Sequence, residues 1–219
     1  MKDISENIRQ IREQIPENVT LIAVSKLKPV SLIEEAYKAG QIIFGENRPQ
    51  EMSKKQQVLP KDIQWHFIGH LQTNKVKYII EYVNTIHSVD SGKLLQEIDR
   101  VSKINNKITN CLIQFHIAKE ESKFGFSISE VEKMLSDKEF QTWENIRVCG
   151  VMGMATFTDN QELIRSEFKT LKDYFHILKD KYFANQPAFK EISMGMTNDY
   201  LIAIQEGSTM IRIGSAIFS

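Results

Sequence analysis

Short apolar runs alternate along the chain with longer segments in which apolar residues recur every three or four positions. An apolar run bounded by polar residues is typical of a strand buried on both faces, and the second spacing is typical of an amphipathic helix. The predicted strands are residues 20–24, 41–44, 65–68, 85–89, 111–115, 147–152, 191–194 and 210–213. The predicted helices are residues 4–15, 31–39, 48–58, 73–82, 94–101, a short helix from 127, 160–182 and 198–206.

Polar residues and glycines indicate where several of these helices begin and end. Ser31 and Ser127 are each followed three positions later by Glu, which is the pattern of a capping box. Gly40 is placed at the end of the second helix, and Thr197 is placed as the N-cap of helix 198–206.

Eight strands separated by helices, in a chain of 219 residues, predict an α/β fold: a single (β/α)8 TIM barrel that occupies residues 1–219 as one domain. A doubly wound open sheet is the alternative. The chain reaches Ser219 soon after strand 210–213, so a full eighth helix does not fit. The extra N-terminal helix at 4–15 is expected to cover that gap, which favours the barrel.

The composition is that of an ordinary globular protein, with 42% hydrophobic and 26% charged residues. Lys and Arg number 28, as do Asp and Glu, so the formal net charge is zero. Nucleic acid is not expected as a partner because its binding needs a basic face, whereas a small anion needs only local donors. Cys111 and Cys149 lack the spacing of a zinc site or disulfide framework, and neither a signal peptide nor a membrane span is recognised. We expect a cytoplasmic monomer.

Two loops at one end of the predicted barrel are candidates for binding a phosphate. In such barrels a phosphate often binds to the loops after strands seven and eight. The seventh predicted strand leads into a turn at 193–199 that carries Gly and hydroxyl residues and precedes a helix N-terminus. The eighth is followed by Gly214 and Ser215, which offer close backbone approach and a hydroxyl donor. Either segment alone is better explained as an ordinary turn, but together they favour a phosphate site.

Two basic residues accompany these loops. Lys26 directly follows the first strand, which neighbours the eighth in a closed barrel, so its amine would face the phosphate and could form a Schiff base with an aldehyde. The alternative is a solvated lysine, as most lysines are. Arg212 alternates with Ile211 and Ile213, and burying a charge there is costly unless it is paired. It either holds a ligand, which we favour, or forms a structural ion pair.

Asn47 and His66 close the second and third strands and are further candidates to line the site. His66 and His70 are four residues apart, but Gly69 and the strand context break the helical ligand geometry and no Glu follows His66, so the zinc-helix motif is absent and no metal is predicted. His66, His87 and His116 are more simply interpreted as core histidines.

Several motifs carry a resemblance to a known family. They are Leu-Ile-Ala-Val-Ser-Lys at 21–26, Phe-Gly-Glu-Asn at 44–47, Trp-His-Phe-Ile-Gly at 65–69, Leu-Gln-Thr-Asn-Lys at 71–75, Ser-Lys-Phe-Gly at 122–125, Ser-Met-Gly-Met at 193–196 and the segment 210–218. In this order the chain resembles, over nearly its whole length, the pyridoxal phosphate homeostasis proteins of the YggS/PROSC type.

The resemblance implies a barrel like the N-terminal domain of alanine racemase, with pyridoxal 5′-phosphate (PLP) held on Lys26 as a Schiff base. The cofactor-binding residues that it implies are Lys26, Asn47, Ser193, Met194, Arg212, Gly214 and Ser215. Among these, Ser193 and the backbone at 214–215 would hold the phosphate, and Arg212 would face the pyridine nitrogen. Arg48 and Pro49 depart from the aromatic and aliphatic residues that relatives often have there.

The resemblance also bears on whether the protein is an enzyme. Alanine racemases share only the barrel and take a catalytic tyrosine from a further β-domain, for which this chain has no room. Arginine stays protonated, so at the ring nitrogen it disfavours a pyridinium and weakens the electron sink. We therefore predict a carrier or regulator of intracellular PLP supply that affects amino-acid and keto-acid balance without robust turnover, with apo PLP-dependent enzymes as recipients.

Three hypotheses stay open beside that prediction. The chain could be a PLP-dependent, racemase-like enzyme, or a Schiff-base aldolase that acts on sugar phosphates. Lys123, in the loop after the fifth strand, is either a secondary PLP-accepting amine or an exposed loop lysine, and the second interpretation is the simpler one.

Overall fold

A computed structural model of the chain describes residues 3–119 and 124–219. Its parallel strands close into a barrel in chain order, and the last strand pairs with the first. The strands are β1 (Thr20–Val24), β2 (Ile43–Glu46), β3 (Gln64–Phe67), β4 (Val83–Val89), β5 (Thr109–Gln114), β6 (Ile146–Met152), β7 (Glu191–Met196) and β8 (Met210–Ile213). The (β/α)8 prediction is confirmed, and the open-sheet alternative is wrong.

Helices surround the barrel. The α-helices are α1 (Ile4–Gln14), α2 (Val30–Lys38), α3 (Pro49–Val58), α4 (Gly92–Ile104), α5 (Ile128–Ser136), α6 (Gln161–Tyr182), α7 (Tyr200–Gln205) and α8 (Ser215–Phe218). Short 3₁₀ helices lie at Thr73–Tyr78 and Phe140–Thr142. No helix in the described part of the chain is long and apolar enough to cross a membrane.

The N-terminal helix lies where a full eighth helix would otherwise be needed. Ile4, Ile8 and Ile11 form the buried stripe of α1, which repeats every three or four residues. On the same helix, Asn7 Nδ2 donates a 3.0 Å hydrogen bond to the carbonyl oxygen of Ile217 in the short α8. The expectation that this helix covers the gap is therefore confirmed.

Three local predictions differ from the structure, and a fourth agrees with it. Helix α2 begins at Val30 after Pro29, so Ser31 lies inside the first turn and is not a cap, since proline at the boundary already sets the helical entry. Segment 73–82 forms a 3₁₀ helix over Thr73–Tyr78 rather than an α-helix. Strand β2 lies two residues later than predicted. The capping box at Ser127 is present as predicted.

The barrel interior is arranged in layers. Side chains two residues apart on a strand point to the same face. An apolar layer crosses the interior and consists of Ile22, Leu112, Met152 and Met210. The residues two positions further along the same segments are Val24, Gln114, Met154 and Arg212, and all of them line a cavity at the carboxyl-terminal end of the barrel. The apolar layer is therefore the floor below that cavity.

Candidate functional site

A cavity of about 530 Å³ opens at the carboxyl-terminal end of the barrel, which is the end where such barrels place their active sites. Its size is within the range of small-molecule sites. It is lined by Val24, Lys26, Asn47, Ile68, Gly69, His70, Gln114, Phe124, Met154, Phe157, Met196, Thr197, Asn198, Asp199, Arg212, Gly214 and Ser215. The wall thus combines two cations with apolar side chains and two loops rich in polar donors.

Lys26 extends from the turn that follows β1. Its side chain is exposed and lies in the cavity wall. The next residue, Leu27, has φ of 61°, an uncommon backbone conformation for a non-glycine residue. The Leu27 N–H donates a 2.7 Å hydrogen bond to Glu51 Oε1 of α3, which helps to hold that conformation. The turn that carries the lysine is therefore fixed from outside the barrel.

A buried charged cluster holds the other side of this turn. Lys55 Nζ donates to the carbonyl oxygen of Ser25, to Glu46 Oε1 and to Glu51 Oε1, each at 2.7 Å. Ser25 Oγ also donates to Glu46 Oε1 at 2.6 Å. We call Ser25, Glu46, Glu51 and Lys55 the turn clamp. It was not predicted, because its members lie in the turn after β1, on β2 and on α3, and no sequence motif unites them.

The pKa values of the two carboxylates in the turn clamp shift in opposite directions. Burial raises the pKa of Glu46, although hydrogen bonds from Lys55 and Ser25 act in the opposite direction. For Glu51 burial also acts to raise the pKa, but hydrogen bonds from Lys55 and from the Leu27 backbone outweigh it, and the pKa is lowered. Glu51 is thus stabilised as the anion that holds the Leu27 N–H.

The two loops predicted to bind a phosphate meet at the cavity. Ser215 Oγ donates a 3.2 Å hydrogen bond to Thr197 Oγ1, which joins the loop after β8 to the loop after β7. A Cβ at Gly214 would lie 3.3 Å from Val24 Cβ and 3.4 Å from its carbonyl oxygen, so a glycine suits the close approach of β1 there. Both loops lead into helix N-termini, where first-turn N–H groups lack intrahelical acceptors.

Thr197 does not cap α7 as predicted. The residue before α7 is Asp199, and its Oδ1 accepts a 2.5 Å hydrogen bond from the Met196 backbone N–H. This bond closes the loop on itself, so the helix begins later and leaves the Thr197 hydroxyl at the cavity. Burial raises the pKa of Asp199, against the hydrogen bond from Met196 and the charge of Arg212.

Arg212 enters the cavity floor from β8 and is almost completely buried. Its Nη1 donates to Ser193 Oγ at 2.6 Å, and its Nη2 donates to the carbonyl oxygen of Gly153 at 3.1 Å. Burial lowers the pKa of Arg212 to about 10, partly offset by Asp199, so the guanidinium stays charged at neutral pH. Both described partners are uncharged oxygens, so neither forms an ion pair with the guanidinium. Its positive charge is therefore available to a ligand in the cavity.

Asn47 lies in the wall just beyond β2, and its Oδ1 is one of three buried side-chain oxygens without a hydrogen-bond partner among the described residues. Gly69 fixes its position, because a Cβ at residue 69 would lie 2.6 Å from Asn47 Cβ and 2.6 Å from its carbonyl oxygen. A buried acceptor without a partner is costly, and a donor on a bound ligand would satisfy it.

Part of the cavity rim is aromatic. The His70 ring stacks on Phe124, with 3.9 Å between centroids and 14° between planes. His70 Nδ1 also lies 2.7 Å from Asp90 Oδ2. Phe124 and Phe157 are largely exposed, so the rim offers an apolar surface to a planar ligand or to a partner at the mouth.

The structure brings together five of the seven predicted site residues: Lys26, Asn47, Arg212, Gly214 and Ser215. The other two, Ser193 and Met194, are not among the residues that line the cavity, and their predicted contacts with a ligand stay predictions. Ser193 is fully buried under Arg212, because it points into the interior one layer below the cavity. Met194 points the other way, into the apolar cluster between the barrel and its helices.

The histidine predictions had different outcomes. His66 and His87 are buried as expected of core histidines, while His116 is half-buried. His66 does not line the cavity, whose wall is formed instead by Ile68, two residues further along. Lys123 lies outside the described residues. No group of three or more potential metal ligands occurs in residues 3–119 and 124–219.

Comparison with known proteins assigns the chain to a family. The family profile described as alanine racemase, N-terminal domain, matches residues 1–219, so fold and site define a barrel of that class. The chain belongs to the pyridoxal phosphate homeostasis protein family. A relative with that name from Aquifex aeolicus is 37% identical over 201 residues, which cover 90% of this chain and 85% of the relative.

Solved structures agree with this assignment. PipY of Synechococcus elongatus PCC7942, which has been solved without PLP and with PLP bound, is 33% identical. Its two structures have TM-scores of 0.91 and 0.89, and each match covers 99% of this chain and 100% of that one. An alanine racemase from Clostridium difficile 630 shares the fold, with a TM-score of 0.73 at 14% identity, and the match covers 99% of this chain but 55% of that one.

Proposed function

We propose that the protein binds PLP in the cavity at the carboxyl-terminal end of the barrel, covalently through Lys26, and acts in PLP homeostasis as a carrier or regulator of PLP supply. The observation that carries the proposal is the convergence of Lys26, Arg212 and the Thr197–Ser215 pair on one cavity. The family relatives and the PLP-bound structure of PipY support it. The proposal treats residues 1–219 as one cofactor-binding domain, since β8 pairs with β1.

The residues of the cavity fit this cofactor. PLP has an aldehyde, a ring nitrogen, a ring hydroxyl and a phosphate. Lys26 supplies an amine for the aldehyde, and the Asn47 Oδ1 without a described partner supplies an acceptor for a hydroxyl. The loops at Thr197 and Gly214–Ser215 supply hydroxyl and backbone donors for a phosphate, and helix N-termini favour anions. Two cations in the wall complement the negative charge.

Each group of residues around the cavity then has a defined task. The turn clamp holds the backbone at Ser25 and Leu27, and so orients Lys26 toward the cavity. The loops after β7 and β8 anchor the phosphate end, and the Ile22 layer closes the floor to water. When bound, PLP supplies an aldehyde that exchanges reversibly between primary amines. That exchange is the chemistry a carrier needs.

The cavity favours a carrier over a racemase. A racemase needs a proton donor or acceptor on each face of its substrate. Beside Lys26, the acid–base side chains in the described wall are His70, which bonds to Asp90 and stacks on Phe124, and Asp199, which accepts from the Met196 N–H. Both of these groups are engaged by other residues, so the racemase-like alternative has the weaker support. The alanine racemase match covers 99% of this chain and 55% of that enzyme, so the likeness is one of the barrel fold.

Two assays separate the functions. PLP-loaded protein is incubated with an apo PLP-dependent enzyme, whose recovered activity reports transfer, and separately with L-amino acids, whose D-isomers report racemisation. The carrier proposal expects transfer without sustained D-isomer formation. Sustained turnover that depends on Lys26 would favour the racemase, and a protein that takes up no PLP would favour the sugar-phosphate aldolase.

We also propose that the protein is a cytoplasmic monomer and that apo-enzymes are the recipients of its PLP. Cys111 and Cys149 are free thiols.

A further inference from the structure

Lys26 lies at the tip of a four-residue turn that follows β1. The Lys28 N–H donates a 3.0 Å hydrogen bond to the carbonyl oxygen of Ser25, which closes the turn over residues 25–28. Lys26 and Leu27 are its two central residues, and φ of Leu27 is 61°. Turns with a positive φ at the third residue, such as type II turns, prefer glycine or asparagine there. Leucine lacks that preference, so a contact from outside the turn is needed to hold the conformation.

The base and the tip of this turn are held by different contacts. At the base, the Ser25 N–H donates to the carbonyl oxygen of Gly45 at 3.0 Å, which continues the pairing of β1 with β2. In the described part of the chain, one hydrogen bond reaches the two central residues, and it runs from the Leu27 N–H to Glu51 Oε1 at 2.7 Å. Glu51 is therefore the group that acts on the tip.

Glu51 is itself fixed as an anion at this point. It lies in the first turn of α3, where the helix dipole favours a negative charge. Burial acts to raise the pKa of Glu51, but the hydrogen bonds from Lys55 and from the Leu27 backbone outweigh it and lower the pKa. An ionised carboxylate accepts a stronger hydrogen bond than a neutral oxygen does. The Leu27 N–H thus meets a strong acceptor whose position is set by α3.

The side chain of Leu27 does little to hold the turn. It is 69% exposed, so packing does not offset the steric cost of a left-handed backbone at a residue that has a Cβ. Without the bond to Glu51 the turn is expected to relax toward negative φ. Because φ of Leu27 sets the direction of the peptide that joins it to Lys26, such a relaxation would turn Lys26 relative to the cavity.

We propose that Glu51 is a positioning residue for Lys26: by holding Leu27 in the left-handed conformation it keeps the lysine amine directed at the cavity and so speeds the capture of an aldehyde. The inference rests on the proposed function. In the capture, the amine nitrogen adds to the aldehyde carbon, a carbon–nitrogen double bond forms, and the aldehyde oxygen leaves as water with the two amine hydrogens. A nucleophile that is held near its attack geometry reacts faster by the same step.

The test follows covalent capture of PLP by the PLP-free protein, using stopped-flow absorbance at several PLP concentrations. The concentration dependence separates the dissociation constant of the initial complex from the limiting rate constant of capture. The variants are Glu51→Ala, Leu27→Gly, Leu27→Val and the double variant Leu27→Gly/Glu51→Ala. Glu35→Ala, at an exposed position of α2, is the matched control. Amide hydrogen exchange of Leu27 in the PLP-free protein reports on the hydrogen bond itself.

We expect Glu51→Ala to lower the limiting rate constant about tenfold, which corresponds to about 1.4 kcal/mol and matches the penalty of a left-handed residue with a Cβ. The dissociation constant of the initial complex stays unchanged because the loops after β7 and β8 are intact, and the Leu27 amide exchanges faster. Glu35→Ala behaves like wild type.

Two changes at residue 27 separate positioning from a merely structural role of Glu51. The double variant should recover a limiting rate constant within about threefold of wild type, because glycine adopts a positive φ readily. Leu27→Val should slow capture although Glu51 is kept, because a β-branched residue disfavours positive φ more strongly. Since residue 27 is exposed, this variant keeps the test decisive if Glu51→Ala does not fold.

Equal limiting rate constants in wild type, Glu51→Ala and Leu27→Val would overturn the inference. A slow Glu51→Ala that Leu27→Gly does not restore would overturn it as well, since Glu51 would then not act through Leu27. Failure of the wild type to capture PLP would instead overturn the proposed function, whereas the exchange rate of the Leu27 amide would still report whether Glu51 holds the turn.

Discussion

Lys55 Nζ lies 2.7 Å from the carbonyl oxygen of Ser25, the residue directly before Lys26. The same amine bonds to Glu46 and Glu51 and is almost completely buried. A charged helix residue thus acts on the backbone of the turn that presents the reactive lysine. The position of α3 and the position of Lys26 are coupled through this contact.

Removal of the amine from the turn clamp is expected to be strongly destabilising. Lys55→Met leaves Glu46 as a buried carboxylate without its ion-pair partner, which costs about 3–5 kcal/mol in the free energy of unfolding. Urea denaturation measures this loss. Lys54→Met, at an exposed position on the same helix, is the matched control and should differ from wild type by less than about 0.5 kcal/mol.

The double variant Lys55→Met/Glu46→Gln tests the cause. Glutamine keeps an oxygen for the Ser25 hydroxyl but removes the unpaired charge, so at least half of the lost stability should return. If the double variant is less stable than Lys55→Met alone, packing of the lysine stem rather than the buried charge explains the effect.

The close approach of Gly69 and Asn47 makes a second prediction. A Cβ at residue 69 would lie 2.6 Å from Asn47, so Gly69→Ala must displace that residue and should cost about 1–3 kcal/mol together with weaker PLP binding. Gly92→Ala is the control, since the nearest atom to its added Cβ is Met134 Sδ at 3.4 Å. Calorimetric unfolding and PLP titration measure both. Equal effects at the two positions would contradict the steric argument.

The buried, neutral His66 predicts a pH dependence of the free energy of unfolding. The pKa of His66 is about 4 in the folded protein against 6.5 ordinarily. Between these values the unfolded chain binds the extra proton, so the stability from neutral His66 is complete above the ordinary pKa and is lost as the pH falls toward 4. The slope contributed by this residue approaches about 1.4 kcal/mol per pH unit.

Urea unfolding of wild type and His66→Asn at several pH values between about 7 and 5 isolates this contribution, because the other titrating groups are common to both. We expect the free energy of unfolding to fall more steeply with acidification in the wild type. Parallel profiles would show that the pKa of His66 does not differ between the folded and unfolded states, which would contradict its lowering by burial.

Some features of the fold and the site can be predicted from the sequence alone. The barrel is one of them, because the spacing of apolar residues identifies eight strands that alternate with helices, and few topologies accommodate that order. Lys26, Arg212 and Ser215 were found because each follows or interrupts an apolar strand. Ser193 and Met194 do not line the cavity, which the sequence could not show, because motif order carries no information on which face of β7 a residue occupies.

The remaining features depend on tertiary contacts. The turn clamp joins residues of β2, α3 and the turn after β1. The hydrogen bonds that run from Arg212 through Ser193 and His87 to His66 join four strands that are distant in sequence. His87 looked like an ordinary core histidine because its partners, Ser193 and His66, come next to it only when the barrel closes. The 3₁₀ segment Thr73–Tyr78 was predicted as an α-helix because its apolar spacing alone does not distinguish the two.

The central claim is that Lys26 carries PLP, and it is tested most directly by mass spectrometry of PLP-loaded protein after borohydride reduction and proteolysis. We expect one pyridoxyl phosphate on the peptide that contains Lys26, no stable adduct in Lys26→Ala, and an unchanged adduct in the control Lys28→Ala, whose amine instead bonds to the carbonyl oxygen of Phe218. An adduct that persists in Lys26→Ala, or that lies on another lysine of the wild type, would contradict the account.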